Sequence, residues 1–320
     1  MRAILEGLRT LLILGRVSNL PTVWSNLLAG WFLAYGEFKW HFLIPLLLGG
    51  SFLYIGGMYL NDFCDASFDA QYCHERPIPA GKISRRTVGW LAAFWFAAGL
   101  ACLVPFGQKT SEFALFLLAA IVLYDFHHKN VAWAPLVMGG CRLLLYLLAA
   151  SVAVWDKFPI DGGPFSPETE YSCFLRWLQV VTPGMIPAAI ALGLYVAGIT
   201  YLARGESRPG RPTRWALLLL LLPTALCLWI YQRQLDYALH PLSFTPFLLF
   251  CLLQIYWMAW MLVPLWRKTN PSIGRTVSGL LAGIVLVDMM AVVPLVGSYG
   301  VVLFPLFALA LLLQRVVPAT

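Results

Sequence analysis

"YLNDFCDASFDAQYCHERPIPAGKIS", residues 59–84, joins the end of an apolar run to a basic, proline-stiffened loop. It places Asp62, Asp65 and Asp69 within eight residues, in a chain of which only 12% is charged. If the preceding helix runs on through this stretch, the three aspartates stand at i, i+3 and i+7, within an arc of about 60°. Carboxylates on one face repel one another, and near a low-dielectric slab an isolated charge is costly. A positive partner is therefore expected. Magnesium suits the role, because it takes oxygen ligands and joins one or two carboxylates to substrate phosphates. Arg76, Lys82, Arg85 and Arg86 follow directly, and arginine matches phosphate in a bidentate fashion. Pro77 and Pro79 stiffen "RPIPAG", and Gly81 permits a tight turn. The plainer alternative is a solvated helix end that marks a membrane boundary.

The rest of the chain makes the membrane reading firm. Of its 320 residues 60% are hydrophobic, and the mean hydropathy is +0.75. Apolar runs of about twenty residues recur, each long enough to cross a bilayer as a helix. They are continuous rather than alternating, which excludes a β-barrel. The expected fold is an all-α, polytopic transmembrane bundle of nine to ten helices, one domain over 1–320, around a central cavity open to the cytoplasm. Spans are predicted at 18–36, 42–62, 87–106, 111–126, 131–155, 183–203, 214–231, 244–266, 276–294 and 298–314. Pro294, Gly297 and Gly300 interrupt the last two. Residues 1–15 lack a small-residue cleavage site and read as an amphipathic helix on the membrane surface.

Charge sets the orientation. The N-terminus and every second loop collect most of the Lys and Arg, whereas the other side has only Lys39, Lys109, Lys157, Arg176 and Arg233. The richer side is cytoplasmic by the positive-inside rule. Cytoplasmic cap loops are thus expected at 63–86 and 204–214, and the long loop 156–182 faces outward. The net charge of +7 follows this topology and does not indicate nucleic-acid binding. Seven scattered cysteines have no metal-site spacing and read as incidental thiols.

The opening stretch resembles the UbiA superfamily of intramembrane prenyltransferases. "NDFCDASFDA" (61–70) matches that family's first aspartate-rich motif, N-D-x-x-D-x-x-x-D, and "RPIPAGKIS" matches the loop that follows it. "GRVSNLPTVWSNLLAG" (15–30) and "LYDFHHKN" (123–130) are similar to its first and fourth helices. "APLVMGGCRLLLYLLA" (134–149) resembles the fifth helix of the EboC-like branch. The resemblance implies magnesium-dependent transfer of a prenyl group from an allylic prenyl diphosphate to an aromatic or lipid acceptor. Carried over, it makes Asp62, Asp65 and Asp69 the metal ligands, with Asn61 in support. Arg76 and Lys129 contact the diphosphate, and Arg16, Asn19 and Asn26 line the same cavity. Lys82, Tyr124, His128, Tyr201 and Arg204 join the substrate-binding set.

One departure stands out. The second aspartate-rich motif belongs at the end of the sixth span, but "YVAGITYLARGESRPGRPTR" (195–214) holds no aspartate. Glu206 is its one acid and the remaining candidate ligand. Two other readings therefore stay open: a binder or transporter of a lipid-like phosphorylated compound, and a degenerate member with an assembly role. His127 or His128 is a candidate general base, but adjacent helical residues diverge by about 100°, so one of them faces a cavity. Tyr54, Tyr59, Tyr124, Tyr146 and Tyr195 are candidates for cation–π stabilisation of a carbocation. Arg142 and Asp288 are ionisable residues within spans; such residues face a bundle interior, pairing with each other or lining the cavity.

Overall fold

The computed structural model describes residues 2–34, 37–129, 131–157, 184–204, 214–235, 244–266 and 273–319. Among these residues there are helices and no strands. The outer loop 156–182 and the cap loop 204–214, Glu206 included, fall almost wholly outside them. Helix α1 (Arg2–Leu14) leads into α2 (Leu20–Ala34), α3 (Trp40–Tyr72), α4 (Arg85–Leu103), α5 (Gly107–His127) and α6 (Ala134–Lys157). Then come α7 (Met185–Ala203), α8 (Arg214–Leu235), α9 (Phe244–Leu262), α10 (Ile273–Ala282), α11 (Ile284–Val296) and α12 (Phe304–Leu313).

Six described helical stretches are long and apolar enough to cross a membrane, and two shorter apolar helices accompany them. One of the six, Arg85–His127, is two passes. Pro105 ends α4, and Gly107 takes φ +88°, a left-handed value that other residues adopt only at a cost. The chain folds back there. Ser151 near the end of α6 then donates to Thr110 at the start of α5, 3.1 Å away, while Asn61 of α3 meets Asp125 at the far end of α5. The polytopic helical bundle of the sequence is the fold observed.

Burial sorts inner from outer helices. The Ile273–Pro294 stretch is the most enclosed, followed by Ala134–Trp155 and Met185–Ala203. Outer helices instead expose large apolar side chains such as Trp90, Phe94, Phe116, Leu249 and Trp260, the surface that lipid covers. On α1, Ile4, Leu5 and Leu8 are exposed while Leu14 is buried, which suits a helix resting on a membrane face. Small residues let inner helices touch. At Gly139 of α6 an added Cβ would lie 2.2 Å from the Gly193 carbonyl oxygen of α7, the close backbone approach that small residues allow in membranes.

Two boundaries differ from the sequence reading. Residues 63–72 are not loop but the last turns of α3, so the loop proper is 73–84. No proline or glycine interrupts 59–72, and ion pairs offset the charge its aspartates carry. The ninth span is also broken at Gly283, between α10 and α11, in addition to a 3-10 segment at Gly297–Leu303. Tyr195 of α7 donates to the Leu280 carbonyl there, at 3.0 Å, satisfying a backbone group near the break.

Candidate functional site

The helical continuation of α3 puts Asp62, Asp65 and Asp69 on one buried face, as the periodicity required. The loop after it is held by its own backbone: Ala80 N–H donates to the Arg76 carbonyl and Lys82 N–H to the Pro77 carbonyl, with a turn at Gly81. Ser84 then caps α4 by accepting from the Thr87 N–H at 3.1 Å. This folded loop returns Arg76 to the aspartates. Its Nη1 lies 3.0 Å from Asp69 Oδ2 and 3.5 Å from Asp62 Oδ1. Burial opposes the arginine's charge, but the two carboxylates outweigh it and raise its pKa above the ordinary value.

Two further cations complete the ring. Arg16, in the turn between α1 and α2, adopts φ +41°, a left-handed strain typical of functional sites. Its Nη2 lies 3.2 Å from Asn61 Oδ1 and 3.5 Å from Asp62 Oδ1. Lys129 Nζ reaches Asp65 Oδ1 at 2.6 Å and lies 3.9 Å from the centre of the Phe68 ring. His128 is the histidine that faces inward. Its Nε2 is 3.5 Å from Asp65 Oδ2, and its ring stacks on Tyr124. His127 is exposed.

Asn61 links this ring to a pocket inside the bundle. Its Nδ2 donates to Asp125 Oδ1 at 3.1 Å, and Asp125 is part of the pocket wall. Tyr54, Gly57 and Met58 of α3, Ile121 and Tyr124 of α5, and Met138, Cys141, Arg142 and Leu145 of α6 line the same space. The wall is thus apolar except for Asp125, Arg142 and the two phenols. Asp125 is a residue that the motif reading missed as a site residue. The available signal was an aspartate four residues before Lys129, at the end of the apolar run 113–124.

Other expected site residues lie elsewhere. Asn26 is fully buried on α2, where it donates to Asp288 Oδ2 at 2.7 Å and accepts from Arg142 Nη1 at 2.8 Å. It belongs to a deep network, completed by Ser25 and Tyr146 donating to Asp288 at 2.5 and 2.7 Å, and not to the aspartate ring. Asn19 donates to the Ala319 carbonyl at 2.9 Å. Tyr201 packs edge-on against Trp215. Arg204 donates to the carbonyls of His128, Val131 and Ala132, fastening the end of α7 to the turn before α6. Lys82 is exposed, and no contact joins it to the aspartates. Of the five tyrosines, Tyr54 and Tyr124 line the pocket. Tyr59 donates to the Leu11 carbonyl, Tyr146 to Asp288 and Tyr195 to Leu280.

Among the described residues no group of three or more Asp, Glu, His or Cys side chains converges as a metal cage. The donor chemistry nevertheless fits a hard cation: the ligands on offer are carboxylate oxygens, and Asp62 Oδ1 is buried without a hydrogen bond. Its ion pairs at 3.5 Å are long contacts that a cation can replace.

Comparison with known proteins bears on the family and the fold. A model of the UbiA prenyltransferase family matches residues 20–284. A digeranylgeranylglyceryl phosphate synthase of Thermococcus gammatolerans is 38% identical over 100 residues, 29% of this chain and 36% of that protein. A 4-hydroxybenzoate octaprenyltransferase of Polynucleobacter necessarius is 24% identical over 148 residues, 46% of this chain and 51% of that one. The chain thus matches roughly a third to a half of the length of these curated relatives. Among solved structures, the apo UbiA homolog from Aeropyrum pernix K1 superposes with a TM-score of 0.60 at 17% identity, covering 92% of this chain and 98% of that one. A structure described as giving insight into digeranylgeranylglyceryl phosphate synthase in membranes superposes equally well, with 91% and 99% covered. At that identity the likeness is one of fold.

Proposed function

The chain belongs to the UbiA prenyltransferase family, and from that premise we propose that it transfers a prenyl group from an allylic prenyl diphosphate to an aromatic or lipid acceptor within the membrane. One observation carries the reading. A row of buried carboxylates, each paired with a basic side chain, adjoins an intramembrane pocket through the Asn61–Asp125 hydrogen bond. The N-terminus and this mouth face the cytoplasm in the proposal, following the distribution of Lys and Arg.

Asp62, Asp65 and Asp69 would hold magnesium, which when bound supplies a Lewis acid for the charge on departing diphosphate. Arg16, Arg76 and Lys129 exchange carboxylate oxygens for phosphate oxygens and stabilise that charge directly. The allylic C–O bond breaks with its electron pair going to diphosphate. An electron pair of the acceptor forms the new bond, and the acceptor gives up a proton, for which His128 is the imidazole at this mouth. Apolar walls keep water from the cation, and the Tyr54 and Tyr124 rings offer it their π faces. Three of Arg204's N–H contacts serve backbone carbonyls, so the phosphate-binding cations of the proposal come from the first half of the chain.

A second reading, binding or carriage of a phosphorylated lipid without chemistry, draws on the finding that every aspartate of the row already has a basic partner. One experiment separates the two. The purified protein with magnesium and farnesyl or geranylgeranyl diphosphate is expected to release diphosphate in the presence of acceptor. An Asp62→Ala, Asp65→Ala double variant is expected to lose on the order of 100-fold or more. Undiminished turnover in that variant would sink the proposed site, and binding without release would favour the carrier.

A further inference from the structure

The turn between α5 and α6 delivers two side chains to one carboxylate. Lys129 Nζ lies 2.6 Å from Asp65 Oδ1, and His128 Nε2 lies 3.5 Å from Asp65 Oδ2. In the proposed chemistry both change partners: Lys129 leaves the carboxylate for phosphate, and His128 takes up a proton. A side chain that changes partners keeps its aim only while its own backbone stays in place. A backbone shift of about 1 Å is enough to cost much of what such a group contributes. What fixes this turn therefore bears on the site.

A helix C-terminus is short of donors for its last carbonyls. Backbone bonds serve part of this one: His128 N–H donates to the Tyr124 carbonyl at 2.7 Å, and Val131 N–H to the His127 carbonyl at 3.2 Å. Arg204 serves three more. Its Nη1 donates to the Ala132 carbonyl at 3.2 Å, and its Nη2 to those of Val131, at 2.9 Å, and His128. The His128 carbonyl belongs to the peptide unit that joins His128 to Lys129, so the guanidinium grips the backbone between the two working side chains. Arg204 itself ends α7, one of the more enclosed helices of the bundle. A planar guanidinium with five N–H donors can serve three carbonyls at once, whereas an ammonium lacks that fork. Its charge also suits the negative end of the α5 dipole.

We propose that Arg204 is a positioning residue: it sets the backbone from which Lys129 and His128 reach the site, and it touches no substrate itself. The fork is turned to carbonyls of the turn, which separates this role from that of Arg16 and Arg76, whose guanidinium groups meet carboxylate oxygens. The inference rests on the prenyl-transfer reading for what Lys129 binds, while the placement of Lys129 does not depend on it.

Two measurements on the full chain in lipid nanodiscs test it. The first needs no ligand: lysines are acetylated with a water-soluble N-hydroxysuccinimide ester and followed by mass spectrometry, with the exposed Lys82 as internal reference. The ion pair with Asp65 slows Lys129, and Arg204→Gln is expected to speed its labelling about fivefold or more relative to Lys82. The second is calorimetric titration, with magnesium, of farnesyl thiolodiphosphate, whose C–S link resists ionisation. Arg204→Gln is expected to weaken the probe about tenfold or more and Arg204→Lys nearly as much. Added to Lys129→Ala, Arg204→Gln is expected to cost less than about twofold, because the two residues act as one unit. A general loosening of the fold would not give that coupling, and a direct phosphate contact would be kept by lysine. Thermal unfolding of each variant keeps lost placement distinct from lost folding, and Arg204→Lys carries both measurements if Arg204→Gln fails to fold. Unchanged labelling of Lys129, full affinity in Arg204→Lys, or additive losses with Lys129→Ala would overturn the proposal. Absence of probe binding to the wild type, with the labelling change intact, would instead overturn the prenyl-transfer reading alone.

Discussion

Asp62 and Asp288 are both buried carboxylates on membrane helices, yet they are held in opposite ways. Asp62 meets two guanidinium groups at 3.5 Å and keeps one oxygen without a hydrogen bond. Asp288 receives three neutral donors, from Ser25, Asn26 and Tyr146, at 2.5 to 2.7 Å. Long arginine side chains can let go of a carboxylate and take up another anion, whereas short hydroxyls and an amide fixed on packed helices cannot. Asp62 and its neighbours therefore form an exchangeable site, and Asp288 a permanent fastening of α11 to α2 and α6.

Asp288→Ala tests the contrast most severely. It leaves the buried Asn26 amide and Tyr146 hydroxyl without an acceptor, while Ser25 keeps the Thr22 carbonyl; the loss is about 3 kcal/mol, and thermal unfolding in detergent should show it with or without magnesium. A stable Asp288→Ala protein would break the comparison, because the network would then be dispensable. Arg76→Ala should be milder and conditional. It strips Asp69 and Asp62 of a shared partner, costing about 2 kcal/mol, and magnesium should restore the melting temperature. Failure of magnesium to do so would mean that the row is not exchangeable. Lys82→Ala should change stability by less than about 0.5 kcal/mol, as exposed substitutions do, and diphosphate release by less than twofold. A large loss there would place the loop's basic tip in the site after all.

Much of this was legible from residues close together in the chain. The i, i+3, i+7 spacing needed only a helix to bring Asp62, Asp65 and Asp69 onto one face, and a short loop to return Arg76. That only one of His127 and His128 faces inward followed the same geometry, and the packing around Asp65 selects His128. Contacts between distant segments were not legible. Asn26 reads like a site residue beside Arg16, but its partners are Arg142 and Asp288, more than a hundred residues away. Asp125 becomes a site residue only because Asn61, 64 positions earlier, faces it across two helices. Arg142 and Asp288 stood out as charges within spans, yet the amide between them could not be guessed, since helix rotation and facing register are set by packing. Glu206, the remaining acid of the second motif, lies outside the described residues.

The contact of α6 with α7 at Gly139 and Gly193 has a mechanical consequence. With no side chain between the two backbones, it pins α6 there, and Gly30 of α2 meets the Tyr146 backbone about 10 Å further along. Arg142 lies between these two pinned points, and the helix beyond them is buried and tied to α5 by Ser151. The Arg142 guanidinium thus hangs from a stretch of α6 that is clamped from two sides.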